Sequence, residues 1–173
     1  MWDQAGFVAT FEMNEFPDGR HFTFLSPALE ENSRMPAEAN DRHTAEPGAV
    51  LIVEDSENSA AMLEIALLGI PGIAVLMASS ALEALRILDD RESPIRAIVT
   101  DLNMPRMDGF ELIRRVRDDA RLRGTPIIVV SADTDPATPQ RVADLGVSAF
   151  FPKPYSPYQV RRKLEQILDG ATQ

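Results

Sequence analysis

Residues 95–109 read IRAIVTDLNMPRMDG, in which a short apolar run ends on an aspartate and a turn follows at once. The run IRAIVT is rich in aliphatic and β-branched residues and has the length of a buried strand. Asp101 closes that run, and Pro105 and Gly109 are residues typical of turns. The stretch therefore predicts a buried strand whose end presents a carboxylate at the edge of a sheet.

The same pattern of strand and helix repeats on both sides of this stretch. The predicted strands are 49–53, 73–77, 95–100, 126–130 and 148–151, and the predicted helices are 56–69, 79–90, 108–118, 137–146 and 156–168. Ser56 stands where an N-cap is expected, and Asp108 with Glu111 is placed as a capping box. Apolar strands that alternate with helices predict an α/β fold, a doubly wound five-stranded parallel sheet covered on both faces.

The spacing of apolar residues predicts which face of a helix packs on the sheet. On the first helix this face carries Leu63, Ala66, Leu67 and Ile70, on the second Leu82, Leu85 and Leu88, and on the last Val160, Leu164, Ile167 and Leu168. On the last helix, Arg161 and Arg162 are interpreted as part of a solvated face.

Composition and charge exclude several classes of function. Residues 1–47 hold nine acidic residues and three arginines, a net charge of −6, and residues 48–173 hold eighteen acidic and fourteen basic residues, a net charge of −4. Because neither part is basic, we expect no nucleic-acid partner. The chain has no cysteine, which excludes disulfides and thiolate metal sites. No apolar run approaches the ~20 residues that cross a bilayer, and no secretory signal is present, so we expect a cytoplasmic protein with no membrane partner.

The chain divides near residue 48. Residues 1–47 form an amino-terminal extension, in which 7–27 alternates loosely around PDG and favours a β-hairpin, and 28–47 is polar and typical of a flexible linker. A partly disordered arm is the alternative interpretation of this extension, because an isolated hairpin is marginal in water. Residues 48–170 form the predicted α/β domain.

Polar side chains follow four of the five predicted strands. Glu54 and Asp55 follow the first strand, Asp101 the third, Ser131 the fourth and Lys153 the fifth. Each of them alone is explained by a helix cap, a turn or solvation. The carboxyl ends of parallel strands meet at one edge of the sheet, where ligands of such folds bind. We therefore expect three carboxylates, a hydroxyl and an amine to converge there.

This set of groups favours phosphoryl chemistry on Mg²⁺. Crowded carboxylates repel one another, and a hard divalent cation removes that repulsion. Mg²⁺ prefers oxygen ligands, accepts only a few carboxylates and keeps several waters. Asp101 would then be an oxygen nucleophile beside a metal ion and Lys153, an arrangement that suits attack on phosphorus and formation of an aspartyl phosphate.

The chain from about 48 to 170 resembles the receiver domain of two-component response regulators. The resemblance rests on VED at 53–55, TDLNMPRMDG at 100–109, VVSA at 129–132 and FFPKP at 150–154, whose order and spacing match across the domain. It implies a flavodoxin-like (βα)5 fold with strand order 2-1-3-4-5.

The resemblance also implies a role for each residue of the set. Asp101 would accept a phosphoryl group from a phosphohistidine. Asp55 and Asp101 would bind Mg²⁺ directly, together with the backbone carbonyl of Asn103, and Glu54 would act mostly through water. Ser131 would donate a hydrogen bond to the phosphoryl group.

Other residues of the receiver pattern depart from it or flank the site. Lys153 would pair with the phosphate, and the bond before Pro154 is commonly cis in this family. Ser131 stands where Thr is more frequent, and the expected aromatic switch residue is Phe150 where Tyr is commoner. Asn103 and Asp133 flank the site, where their side chains could steer a hydrolytic water.

We therefore predict a phospho-accepting signalling domain without an output domain, which turns over no separate substrate. The expected partners are a histidine kinase or histidine phosphotransfer protein, and a downstream protein on the surface of the fourth helix, fifth strand and fifth helix, with Arg141, Tyr155 and Arg162 as candidate contacts.

Three alternatives remain open. The run GRHFTFLSP at 19–27 is weakly similar to the last hairpin of histidine-kinase ATP-binding domains, which would make the chain the receiver part of a hybrid kinase. A receiver that no longer switches would be an interaction module only. A Mg²⁺-dependent aspartyl phosphatase is disfavoured, because such enzymes carry a second aspartate where this chain has Asn103.

Overall fold

The structure is a computed structural model that describes residues 10–15, 21–26, 48–90 and 94–170. It separates into two compact units, Met1–Glu46 and Pro47–Gln173. In the first unit, strands β1 (Thr10–Glu15) and β2 (His21–Ser26) pair antiparallel. Both strands fall within the range 7–27 for which the sequence favours a hairpin, whereas its turn and the linker at 28–47 lie outside the described residues.

The second unit is a five-stranded parallel sheet with helices on both faces. Its strands are β3 (Gly48–Val53), β4 (Ile73–Ala78), β5 (Ile95–Thr100), β6 (Ile127–Ser131) and β7 (Ala149–Pro152), and its helices are α1 (Glu57–Leu67), α2 (Ala81–Asp89), α3 (Gly109–Asp118), α4 (Thr138–Asp144) and α5 (Pro157–Gly170). The strands lie in the order β4-β3-β5-β6-β7, which is 2-1-3-4-5 counted within this unit. The predicted doubly wound, flavodoxin-like fold is confirmed. Among the described residues, no helix is long and apolar enough to cross a membrane.

Alternate residues of each strand supply two apolar layers. Leu51, Ile98 and Val129 pack with α2, α3 and α4 on one face, while Ile52 and Ile128 pack with α1 and α5 on the other. All five side chains are almost fully removed from water. Burial of each such side chain stabilises the fold by about 1.5–3 kcal/mol, so the central strands are held rigidly.

Helix starts agree with the sequence prediction at two positions. Ser56 accepts a hydrogen bond from the Ser59 N–H, and Asp108 accepts one from the Glu111 N–H at 2.8 Å. The capping box predicted at α3 is only half formed, since the Glu111 carboxylate pairs with Arg115 at 3.0 Å instead of returning to the helix start. An i,i+4 ion pair is within easy reach on an exposed helix surface, which explains this choice.

One predicted core position on α2 is wrong. The Leu82 side chain is 40% exposed, and the buried residues of α2 are Ala81, Ala84, Ile87 and Leu88. Residues at i, i+3 and i+6 or i+7 share one face of a helix, and position 82 lies about 100° from position 81. Leu82 therefore lies beside the buried face, whereas Leu88 is on it and Leu85 packs partly buried against the same core. The smaller Ala81 and Ala84 let α2 approach the sheet closely.

The interpretation of Arg161 as part of a solvated face is wrong, because this side chain is partly buried and bonded within the fold. Its guanidinium donates to the Gly69 carbonyl at 2.8 Å and pairs with Glu165 at 2.9 Å, so α5 is tied to the end of α1. A Cβ at Gly69 would displace this guanidinium from its place. Arg162 is exposed, as expected.

Candidate functional site

Asp101 lies at the carboxyl end of β5, in the middle of the sheet. The residue is 4% exposed, and its N–H donates to the Val53 carbonyl at 3.0 Å. One carboxylate oxygen, Oδ1, accepts the Asn103 N–H at 3.0 Å, and the other, Oδ2, accepts a hydrogen bond from Lys153 at 2.6 Å. Gly109 passes against the Asp101 carbonyl, where any Cβ would collide. The turn that follows β5 therefore fixes the orientation of this carboxylate.

Lys153 joins two of the carboxylates. Its Nζ lies 2.8 Å from Glu54 Oε2 and 2.6 Å from Asp101 Oδ2. Its backbone N–H donates to the Ser131 carbonyl at 2.7 Å, and the bond to Pro154 is cis. Partial burial alone would lower the pKa of the Lys153 ammonium group, but the hydrogen bonds from the ammonium to Asp101 and Glu54, with their negative charges, outweigh burial and raise it. The lysine is thus a fixed cation.

Three carboxylates form one oxygen-lined cluster. Glu54, Asp55 and Asp101 each place an oxygen within 4.8 Å of the others. Three carboxylates and the Lys153 ammonium carry a formal charge of −3 + 1 = −2, which one divalent cation would neutralise. An all-oxygen donor set of this kind fits Mg²⁺, because that ion prefers oxygen ligands.

The two acidic residues that follow β3 differ in whether their carboxylate oxygens already accept hydrogen bonds. Glu54 is 3% exposed, and its oxygens are engaged by the Ser56 N–H at 3.2 Å and by Lys153. Asp55 is exposed, and within residues 48–90 and 94–170 no hydrogen bond or ion pair reaches its carboxylate. The Asn103 carbonyl is equally unengaged in that part of the chain. These two groups can therefore bind an ion beside Asp101 without giving up a contact within the described residues.

Ser131 lies at the end of β6 and is fully buried. Its Oγ accepts hydrogen bonds from the Asp133 N–H at 3.2 Å and from Asn103 Nδ2 at 3.4 Å. Asn103 thus touches both Ser131 and, through its backbone, Asp101. Phe150 on β7 is partly buried against the apolar layer beneath α2, α3 and α4.

The three residues named for a partner surface have different surroundings. The Arg141 guanidinium lies over the Phe110 ring at 4.1 Å and pairs with Asp135 at 3.8 Å. Tyr155 packs partly buried against the layer of α1 and α5, and burial raises the pKa of its hydroxyl. Arg162 is exposed. Arg141 and Tyr155 therefore have contacts within the fold.

Arg117 and Thr138 are polar residues with structural contacts that the sequence does not predict. Arg117 donates to four backbone carbonyls, those of Arg123, Thr125, Leu145 and Gly146, at 2.9 to 3.1 Å. Burial lowers the pKa of its guanidinium. Thr138 is fully buried and donates to Asp133 at 2.9 Å. A basic residue at the end of a helix is common, and no sequence signal separates Arg117 from its neighbours.

Comparisons with known proteins agree with this geometry. The family model described as "Response regulator receiver domain" matches residues 50–165. The chemotaxis protein CheY1 of Helicobacter pylori is 31% identical over 119 residues, which cover 69% of this chain and 95% of that protein. The two-component response regulator ORR11 of Oryza sativa subsp. indica is 30% identical over 122 residues, or 70% of this chain and 82% of that protein.

Solved structures give the same result. The signal receiver domain of a signal transduction histidine kinase from Syntrophus aciditrophicus superimposes with a TM-score of 0.65 at 29% identity, covering 73% of this chain and 93% of that one. A response regulator receiver protein from Pseudomonas putida superimposes with a TM-score of 0.64 at 32% identity, covering 71% of this chain and 99% of that one. The chain therefore belongs to the response regulator receiver domain family of two-component signalling.

Proposed function

We propose that residues 48–170 accept a phosphoryl group from a phosphohistidine onto Asp101, with Mg²⁺ as the cofactor, and that residues 1–47 are an extension to this domain. The observation that carries the proposal is the buried Asp101 carboxylate, which lies 2.6 Å from Lys153 and within 4.8 Å of two further carboxylates. A nearly buried acid beside a fixed cation and an oxygen-lined metal site is suited to nucleophilic attack on phosphorus.

The transfer conserves atoms and electrons. An oxygen of Asp101 forms a bond to phosphorus, the P–N bond of the donor breaks, and its electron pair stays on the imidazole. Asp55, Asp101 and the Asn103 carbonyl would hold Mg²⁺ directly, with Glu54 acting through water, and the bound ion would neutralise charge on the phosphoryl oxygens. Lys153 supplies a second positive charge at the same oxygens.

Ser131 and Phe150 would report the transfer to the rest of the domain. The Ser131 Oγ now accepts two hydrogen bonds, so its own proton is available to a phosphoryl oxygen. Movement of that hydroxyl would let Phe150 change rotamer, and the surface of α4, β7 and α5 would then bind its downstream partner differently. The donor in this scheme is a histidine kinase or a histidine phosphotransfer protein.

Intact-mass measurement tests the transfer. The full chain is incubated with Mg²⁺ and acetyl phosphate, and we expect it to gain the mass of one phosphoryl group. The variant Asp101→Asn should gain none. Asp108→Asn is the matched control, because it changes an exposed aspartate in the same turn to a residue that still caps α3. A parent chain of unchanged mass would contradict the proposal.

A receiver that forms part of a hybrid histidine kinase is the second candidate. It is favoured by the solved receiver domain from Syntrophus aciditrophicus, which is described as part of a signal transduction histidine kinase. Rates of phosphoryl transfer to this chain from a panel of purified histidine kinases would decide. Fast transfer from a free-standing kinase alone would count against this alternative.

A further inference from the structure

Thr138 holds the Asp133 carboxylate at the start of α4. Thr138 is the first residue of that helix, is fully buried, and donates from Oγ1 to Asp133 Oδ2 at 2.9 Å. The other oxygen, Oδ1, accepts the Asp135 N–H at 2.9 Å. Both oxygens of Asp133 are therefore engaged within the loop that connects β6 to α4.

The backbone of Asp133 is close to the phosphoacceptor site. Its N–H lies 3.2 Å from Ser131 Oγ, and Ser131 Oγ lies 3.4 Å from Asn103, whose own N–H is bonded to Asp101 at 3.0 Å. Two residues thus separate Asp133 from Asp101. A carboxylate attached at this point could turn toward the site if Thr138 released it.

We infer that Thr138 is a positioning residue that retains the Asp133 carboxylate beside α4 and so prolongs the life of the aspartyl phosphate on Asp101. This inference rests on the proposed function.

The position of the Asp133 carboxylate matters for hydrolysis of the aspartyl phosphate, because that reaction needs a proton acceptor. In hydrolysis, a water oxygen bonds to phosphorus, the bond from phosphorus to the Asp101 oxygen breaks, and its electron pair returns to the Asp101 carboxylate. The water loses a proton, which a nearby base accepts, and inorganic phosphate leaves. A carboxylate beside the phosphoryl group would serve as that base, whereas the bond from Thr138 keeps the Asp133 carboxylate at the start of α4.

The charge state of Asp133 agrees with this role. The backbone hydrogen bond from Asp135 and the side-chain hydrogen bond from Thr138 lower the pKa of the Asp133 carboxyl, and the charge of Arg141 adds to the effect. Since basicity falls with pKa, these contacts weaken Asp133 as a proton acceptor while they hold it in place.

A purely structural role is the alternative explanation. The residue before α4, Ala137, offers no side-chain cap, so the bond from Thr138 to Asp133 could serve only to close the loop. In that case the loss of the hydroxyl would lower stability and leave the rate of hydrolysis unchanged.

The test compares Thr138→Val, which keeps the shape and removes the hydroxyl, with Thr138→Ser, which keeps the hydroxyl. The full chain is phosphorylated with acetyl phosphate and Mg²⁺, the donor is removed, and loss of the phosphoryl mass is followed. We expect Thr138→Val to shorten the lifetime by about tenfold, below the ~10²–10⁴-fold effect of a fully positioned base. Thr138→Ser should keep the parent lifetime, and Thr138→Val with Asp133→Ala should match Asp133→Ala alone.

A second measurement is independent of phosphoryl transfer. The carboxyl carbon of Asp133 is titrated by NMR, and Thr138→Val should raise the pKa of Asp133 toward its ordinary value while Thr138→Ser leaves it low. Should the valine variant not fold, Thr138→Ala gives the same comparison.

Three results would overturn the inference. Equal lifetimes of the aspartyl phosphate in the parent and in Thr138→Val would contradict the inference about Thr138 but not the proposed function. So would a shortened lifetime that persists in the double variant, since the effect would then not pass through Asp133. A parent chain that never gains the phosphoryl mass contradicts the proposed function, and the inference with it.

Discussion

At the scale of single residues, one ammonium group forms ion pairs with two nearly buried carboxylates. Lys153 Nζ lies within 2.8 Å of oxygens from both Glu54 and Asp101, whose side chains are 1% and 6% exposed. Removing one partner of a buried ion pair costs more than the pair itself contributes, because an uncompensated charge stays behind. The stability of the site therefore depends on the charge of Lys153.

This dependence predicts how stability changes with pH in Lys153→Met. The folded pKa of Lys153 is raised above its ordinary value of 10.5, so the folded state keeps its proton to higher pH than the unfolded state does. The contribution of the lysine is complete below pH ~10.5 and is lost as the pH rises through the folded pKa. We expect Lys153→Met to lower the free energy of unfolding by about 2 kcal/mol at neutral pH, less than for a fully buried pair.

Urea unfolding without Mg²⁺, repeated across the alkaline range, measures the difference between parent and variant. That difference should stay constant to pH ~10.5 and shrink as the pH rises further, through the folded pKa. Lys163→Met on α5 is the control and should show no such trend. A difference that already fades near neutral pH would rule out the ion pair as its source.

At the scale of elements, α4 is anchored by polar contacts more than by apolar burial. Its buried residues are Thr138 and Val142, and it begins without a side-chain cap. The Arg141 guanidinium supplies a further anchor, because it lies 4.1 Å from the centre of the Phe110 ring on α3 and 3.8 Å from Asp135. A cation over an aromatic ring at an exposed site contributes about 0.5–1 kcal/mol.

Loss of this anchor should therefore loosen α4 selectively. In Arg141→Gln, we expect faster hydrogen exchange of the α4 amides and a global free energy of unfolding lowered by no more than about 1 kcal/mol. Mass-spectrometric hydrogen exchange of the α4 and α5 peptides gives the comparison. Arg114→Gln is the matched control, because Arg114 is an equally exposed arginine whose partner is Glu111 on its own helix. Unchanged exchange in α4 would show that apolar packing alone holds it.

Prediction from sequence was most successful for elements and weakest for contacts between them. The five strands and five helices follow from local periodicity, and Ser56 and Asp108 follow from capping rules. Arg161 could not be placed, since its partner Gly69 lies 92 residues away and no local pattern marks the pair. The exposed Leu82 shows the same limit, because α2 turns its alanines toward the sheet to pack closely.

At the scale of the whole molecule, strand order determines where the site forms. The chain runs from β3 outward to β4 and then crosses to β5 on the other side of β3. A change of direction of this kind opens a crevice at the carboxyl ends of the adjacent strands β3 and β5. Glu54 and Asp55 end one of these strands and Asp101 ends the other, so the acidic cluster spans the crevice. The sequence predicts this convergence from strand ends alone, but not that Lys153 contacts Glu54 as closely as Asp101.

The crevice carries a formal charge of −2 when Lys153 is included. Mg²⁺ binding at this crevice should therefore stabilise the whole domain against unfolding. An ion that binds only the folded state stabilises it by RT ln(1 + [L]/Kd), about 1.4 kcal/mol at ten times Kd, which raises Tm by roughly 3–5 °C for a domain of this size. Asp55→Asn should reduce this shift, since it removes the charge of a group that no other described residue engages. Without Mg²⁺ the same variant should melt higher than the parent, because one of three crowded charges is gone.

Thermal unfolding with and without Mg²⁺ separates these two effects of one substitution. Glu57→Gln is the control, since Glu57 is an exposed acid at the start of α1, two residues along the chain, and lies outside the cluster. It should keep the full shift. If Asp55→Asn kept the same shift as Glu57→Gln, the ion would be binding elsewhere, and the crevice between β3 and β5 would no longer explain the stabilisation. Asp55→Asn should thus melt higher than the parent without metal and should lose the rise in Tm that Mg²⁺ causes in the parent. Only a metal-binding acidic crevice produces both results together.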